Sequence, residues 1–333
     1  MTRTPLAPAL APPALSPAHR LLRLAAIVSC LPYLTLKFAW ILGSHIGIPD
    51  GSSLLEHRTT MLVANTVTVL MDACVIALAL LLTRPWGLRV PAWLLLVPVW
   101  VASGLLAPIM TGFPVQLLIK VLGGDVQTQS ASEPFLDEWV FGVVYGGFIL
   151  QGVALGGLFA LYARRRWGHL WRGRVGDVTT PASRPLALTA AVVALFPVAV
   201  HLMWASGSTA GLGADAVRDR ATDTCALEVL HALFPLTAVA GVLVIAFRVP
   251  PRLPLAVPLA LAWVGSGATA CWGAWLTLAS LGAGDIAERP TALVMLTYAG
   301  QMIVGMLVIA LGVRFFAARS AVAHDSTAVS ITV

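Results

Sequence analysis

Eight apolar runs, at 21–43, 59–83, 91–112, 139–162, 186–206, 226–247, 254–280 and 291–313, leave this chain few folds to choose from. A helical bilayer crossing needs about 20 apolar residues, and each run is long enough. None alternates polar with apolar as an outer-membrane strand does. Backbone groups inside lipid must pair within their own segment, which selects helices. The expected fold class is therefore an all-α polytopic membrane protein with eight transmembrane helices. Composition agrees, because 11% of residues are charged, against about 25% in a soluble domain. Prolines inside the third and seventh runs predict kinks there.

The runs are not independent of one another. Lys37-x-x-Trp40-x-x-Gly43-Ser44-x-x-Gly47 returns as His201-x-x-Trp204-x-x-Gly207-Ser208-x-x-Gly211, 164 positions later. Arg89-Val90-Pro91 and Trp100-Val101-Ala102-Ser103-Gly104 return at offset 163 as Arg252-Leu253-Pro254 and Trp263-Val264-Gly265-Ser266-Gly267. Tyr145, Gly147 and Gly152 return at offset 153 as Tyr298, Gly300 and Gly305, the drop falling at a shortened loop. The order points to an internal repeat of two four-helix units, 21–163 and 186–316. Four crossings per unit make both enter from the same face, a parallel pseudo-two-fold arrangement.

Orientation follows from the short loops. One face collects 15 of the 21 basic residues, including Arg164, Arg165, Arg166, Arg172, Arg174 and Arg184, and the other collects five. The positive-inside rule places the richer face and both termini in the cytoplasm. Residues 1–20, rich in proline and alanine, are expected to form a disordered cytoplasmic tail, and 317–333 a second one. The segment 164–185 reads as an Arg-rich cytoplasmic linker, its charges and tryptophans lying at the anionic inner leaflet. Pro114–Leu122 reads equally as an interfacial helix or an extension of the third crossing. The net charge of +6 is thus a topology signal, and no nucleic-acid partner is expected. The partners expected are the lipid bilayer and a small-molecule or ion substrate.

Chemistry is sought among polar groups inside the apolar runs, since a charge at the bilayer centre costs about 2.5–3.5 kcal/mol on insertion scales. The candidates are Lys37, Asn65, Asp72, His201, Glu228 and His231. Lys37, Asn65, His201 and His231 fall about 9 Å inside the helix ends by helix rise, with Asp72 deeper. We expect them to converge on one cavity, with Asp72 and Lys37 as a charge pair. Glu228 and His231 lie one turn apart, a spacing used in di-iron bundles. Without a second copy of that motif, no metal and no cofactor is expected. The cysteines Cys30, Cys74, Cys225 and Cys271 have no metal spacing and read mainly as small apolar side chains.

No GxxxxGK[ST] loop and no HExxH helix occurs in the chain, which excludes a P-loop ATPase and a zincin. No nucleophile–base pair and no aspartate-rich diphosphate motif is visible. The stretch Pro32-Tyr33-Leu34-Thr35-Leu36-Lys37-Phe38-Ala39-Trp40, followed by Gly43-Ser44 and Gly47-Ile48-Pro49-Asp50, resembles the first helix of uncharacterised multi-pass integral membrane proteins of high-GC Gram-positive (actinobacterial) bacteria. The resemblance implies a bacterial inner-membrane protein and carries over no activity and no site residue. Duplicated halves with ionisable groups between helices favour a transporter or transporter subunit. An integral-membrane enzyme acting on a lipid-like substrate, and a non-catalytic partner or sensor, are the alternatives.

Overall fold

The computed structural model of the chain describes residues 16–50, 52, 55, 58–126, 136–179, 183–280 and 290–331. Among these, eight helical spans are long and apolar enough to cross a membrane. The first span is α1 (Pro17–Val28) and α2 (Cys30–Ile41), separated at Ser29. Pro32 has no N–H for the carbonyl of Val28, which weakens the ladder at this junction. Then come α3 (Arg58–Thr83), α4 (Ala92–Val121), α5 (Glu138–Trp167) and α6 (Arg184–Ala205). A short surface helix α7 (Ala214–Arg218) precedes α8 (Thr222–Phe247), α9 (Ala256–Ser280) and α10 (Ala292–Ile331). Large apolar side chains such as Leu24, Leu70, Val97, Leu195 and Met306 point outwards, as lipid-facing residues do. The chain is a helical multi-pass membrane protein.

Several boundaries differ from the expectation, each for a local reason. Pro17–Arg20 belong to α1, because Ser16 caps the helix by accepting from His19 N at 3.5 Å and Pro17 takes the first turn, where its missing N–H is harmless. Residues 114–122 extend α4 without a break in the helix, despite Pro98, Pro108 and Pro114. At the other end α10 remains helical to Ile331, through a stretch rich in alanine, the strongest helix former. The remainder of the first tail lies outside the described residues.

The expected linker is a docked element. Val175 donates its N–H to Leu253 O at 2.9 Å, Gly176 to Pro251 O at 2.9 Å, and Leu255 returns one to Gly173 O at 3.1 Å. Val175 and Val178 are buried with Ile245, Leu255 and Phe315, under the turn between α8 and α9. Arg166, at the end of α5, donates to the Tyr162 hydroxyl and to Val90 O at 2.7 Å each, so its charge is held by the protein.

The two sequence halves meet along α4 and α9. Gly104 and Gly267 face each other there, and a methyl group on Gly267 would lie 3.1 Å from the Cα of Gly104. Small residues let membrane helices approach to backbone distance. Trp100 Nε1 donates to Ser266 Oγ at 3.2 Å, and Trp263 Nε1 donates to Ser103 Oγ at 3.1 Å. Trp272 Nε1 adds a bond to Leu105 O at 3.1 Å. Nearer the helix ends Gln116 Nε2 of α4 donates to Asp223 Oδ2 of α8 at 2.7 Å.

Candidate functional site

The repeated Trp-x-x-Gly-Ser-x-x-Gly motif is a helix stop. After α2, Gly43 N bonds Trp40 O at 3.1 Å and Ser44 N bonds Ala39 O at 2.9 Å; after α6, Gly207 N bonds Trp204 O at 3.0 Å and Ser208 N bonds Met203 O at 3.3 Å. This bond pair is the Schellman ending, which wants a left-handed residue, and Gly43 and Gly207 supply it at φ +91° and +97°. Both tryptophans then lock the following turn, Trp40 Nε1 donating to Ile46 O at 2.7 Å and Trp204 Nε1 to Ala210 O at 3.0 Å. The motif thereby fixes the last turns of α2 and α6, and with them the directions of Lys37 and His201.

Each of these two residues finds a partner on the next long helix. Lys37 Nζ donates to Asn65 Oδ1 at 2.8 Å, and His201 Nδ1 lies 2.5 Å from Glu228 Oε2. The sequence separations are similar, 28 and 27. The Lys37 ammonium sits over the rings of Tyr33 and Trp40, 4.7 and 4.9 Å from their centroids, where π faces offset lost hydration.

Asp72 stands apart from this pair. Seven residues beyond Asn65 on α3, it is about 10 Å further along the axis, and no ion pair within 4.0 Å joins it to Lys37 among the described residues. The expected pair is therefore not a contact pair: Asn65, two turns closer, takes the ammonium in a hydrogen bond, and the charges of Lys37 and Asp72 act on each other at longer range. Asp72 is 4% exposed and accepts from Gln151 Nε2 of α5 at 3.1 Å. Gln151 also lies 3.3 Å from Cys30 Sγ. The second carboxylate oxygen, Oδ2, is buried with no hydrogen-bond partner. Leaving a buried acceptor unsatisfied costs roughly 1–3 kcal/mol.

In the second half His201 is 3% exposed and is held from both sides of its ring. Gln301 Nε2 of α10 lies 2.8 Å from His201 Nε2, opposite Glu228. His231, one turn beyond Glu228 on α8, has its ring centroid 5.3 Å from that of His201. One donor atom from each of His201, Glu228 and His231 lies within 4.8 Å of the others.

Five of the six sequence candidates therefore fall into two polar groups, Lys37 with Asn65 and His201 with Glu228 and His231, with Asp72 in a third. No hydrogen bond, ion pair within 4.0 Å or ring contact joins these groups among the described residues, though Lys37 and Asp72 lie near enough for their charges to interact. Gln151 and Gln301 were missed. Both are amides in the middle of apolar runs, a signal the sequence contains, but they carry no charge to mark them. Arg220 is a further structural cation, donating to Ser208 O at 3.0 Å and to Trp204 O, where α6 leaves its carbonyls open.

Compared with models of known protein families, with curated proteins and with solved structures, the chain matches none.

Proposed function

We propose that this protein is a transporter, or the membrane subunit of one, for a small molecule or ion. In this reading it is built from two parallel four-helix repeats, with both termini on the cytoplasmic side of a bacterial inner membrane. The observation that carries the proposal is Asp72, a carboxyl group 4% exposed inside a membrane span, with one oxygen unpartnered. A scaffold gains nothing from an unsatisfied acceptor in that place, whereas a cation, a proton or a substrate donor would complete it. The matched helix stops, the paired Lys37–Asn65 and His201–Glu228 contacts and the reciprocal Trp–Ser bonds support the repeat. So does the seating of the second glycine of each stop, Gly47 against Val140 and Gly211 against Leu293, residues at offset 153.

The test is electrical recording on proteoliposomes adsorbed to a solid support, perfused with monovalent and divalent cations, organic cations, amino acids and sugars. A transient current is expected for one of these classes. Folded wild-type protein that gives no current with any class contradicts the proposal. An integral-membrane enzyme is the second reading, favoured by the His201–Glu228 contact, in which a carboxylate orients an imidazole as a general base requires. Turnover of a lipid-like substrate without current would select it.

A further inference from the structure

The second-half cluster is more elaborate than a packing contact needs. A buried histidine is satisfied by two partners, and His201 has them in Glu228 and Gln301. That leaves His231 unexplained, with its donor atom drawn into the same 4.8 Å space. It also leaves Gln301 Oε1, on a side chain 4% exposed, buried and unpartnered.

A metal ion at His201 would set the orientation of the Gln301 amide. The oxygen and nitrogen of an amide are interchangeable by a half-turn. With the Gln301 amide turned, Oε1 accepts a hydrogen bond from His201 Nε2–H, and Nε2 takes the place that Oε1 held. The imidazole is then in the tautomer whose Nδ1 lone pair faces Glu228 Oε2, 2.5 Å away, a spacing that a cation held by both atoms would widen. A histidine that donates one ring N–H to an amide or carbonyl oxygen while its other nitrogen faces carboxylate and imidazole is how proteins orient a metal ligand. We propose that His201, Glu228 and His231 bind a divalent transition-metal ion, with Gln301 as the residue that positions His201. Two imidazoles and one carboxylate suit zinc and its neighbours over magnesium or calcium, which take oxygen ligands. Three protein ligands leave a fourth position open.

The other half supports this from the opposite direction. By offsets of 164 and 163, Lys37, Asn65 and Thr68 correspond to His201, Glu228 and His231. In the first half the place is filled by the ammonium of Lys37, held by Asn65 and the Tyr33 and Trp40 rings. In the second half the chain offers ligands and no fixed cation. The inference does not require that the protein transport anything.

The test is titration of the purified full-length protein in detergent, freed of any affinity tag, with Co2+ as the probe. Visible d–d absorption saturating at one Co2+ per chain, and reversed by Zn2+, is expected. His231→Ala is expected to abolish it, and Glu228→Gln, which keeps the side-chain shape, to weaken it at least tenfold. Gln301→Leu is expected to weaken it about 10- to 100-fold, the usual range for outer-shell partners. Thermal unfolding without metal checks that each variant is folded. Lys37→Met should bind as the wild type does. Absence of stoichiometric binding overturns the proposal, as does unchanged binding in folded His231→Ala. Thiolate-to-cobalt charge-transfer bands, which would assign the ion to a cysteine, overturn it as well.

Discussion

Trp100 and Trp263 make the same bond in opposite directions. Each indole N–H crosses the contact between α4 and α9 to the serine three residues beyond the other tryptophan, Trp100 to Ser266 at 3.2 Å and Trp263 to Ser103 at 3.1 Å. Reciprocity of this kind is what the proposed two-fold relation would require, since residue i then meets j wherever j meets i. Gly104 and Gly267 stand against each other beside these bonds.

Two outcomes follow for stability in detergent. Trp100→Phe and Trp263→Phe each remove one interior hydrogen bond and should cost similar amounts, about 0.5–1.5 kcal/mol. Gly267→Leu should cost far more, because its side chain would enter the backbone of α4 and wedge the halves apart. Thermal unfolding of the three variants checks the order; a Gly267→Leu protein as stable as Trp100→Phe would contradict the close crossing.

Lys37→Ala should lower stability by roughly 1.5–3 kcal/mol, the range for hydrogen bonds to a charged group. Much of that is the stranding of Asn65, which is 4% exposed. The paired change Lys37→Met with Asn65→Leu should therefore recover part of the loss. A double variant no better than Lys37→Ala, measured by thermal unfolding in the same detergent, would show that Asn65 is not the partner that matters.

The segment between the halves should resist proteolysis. Although Arg172 and Arg174 are sites for trypsin, Val175 and Val178 are buried and their neighbours bond the α8–α9 turn. Val178→Asp should release the segment and speed cleavage there severalfold without unfolding the bundle. Rapid cleavage of the wild type at these arginines would contradict the docking.

Orientation is checked by labelling. With the native cysteines replaced, a cysteine at Gln129 should react with an impermeant maleimide from outside intact cells, and one at Thr180 should react only after permeabilisation. The reverse pattern would invert the positive-inside assignment.

How far the sequence reached depended on what each feature requires. The eight spans were legible because bilayer thickness sets a length that 20 apolar residues meet with or without knowledge of packing. The Trp-x-x-Gly-Ser-x-x-Gly echo was legible because a Schellman ending needs glycine at one position, so the pattern survives in order. The partner of Lys37 was not. Depth follows from counting residues, but Asn65 and Asp72 share one face of α3, and which of them takes the ammonium depends on how α2 and α3 are displaced along their axes. The docked linker was hidden by composition, since its arginines dominate and Val175 and Val178 stand singly between polar residues and glycine. Gln151 and Gln301 carry no charge, yet both lie beside orphaned acceptors, Asp72 Oδ2 and Gln301's own Oε1.

The central claim, that Asp72 is there to be completed by what the protein carries, is tested most directly by Asp72→Asn in reconstituted vesicles. Asparagine keeps the shape, and with its amide oxygen towards Gln151 it keeps that hydrogen bond while losing the free carboxylate oxygen. The account predicts that transport current falls to background while the thermal unfolding midpoint is unchanged or higher. Wild-type current in the Asp72→Asn protein would contradict it.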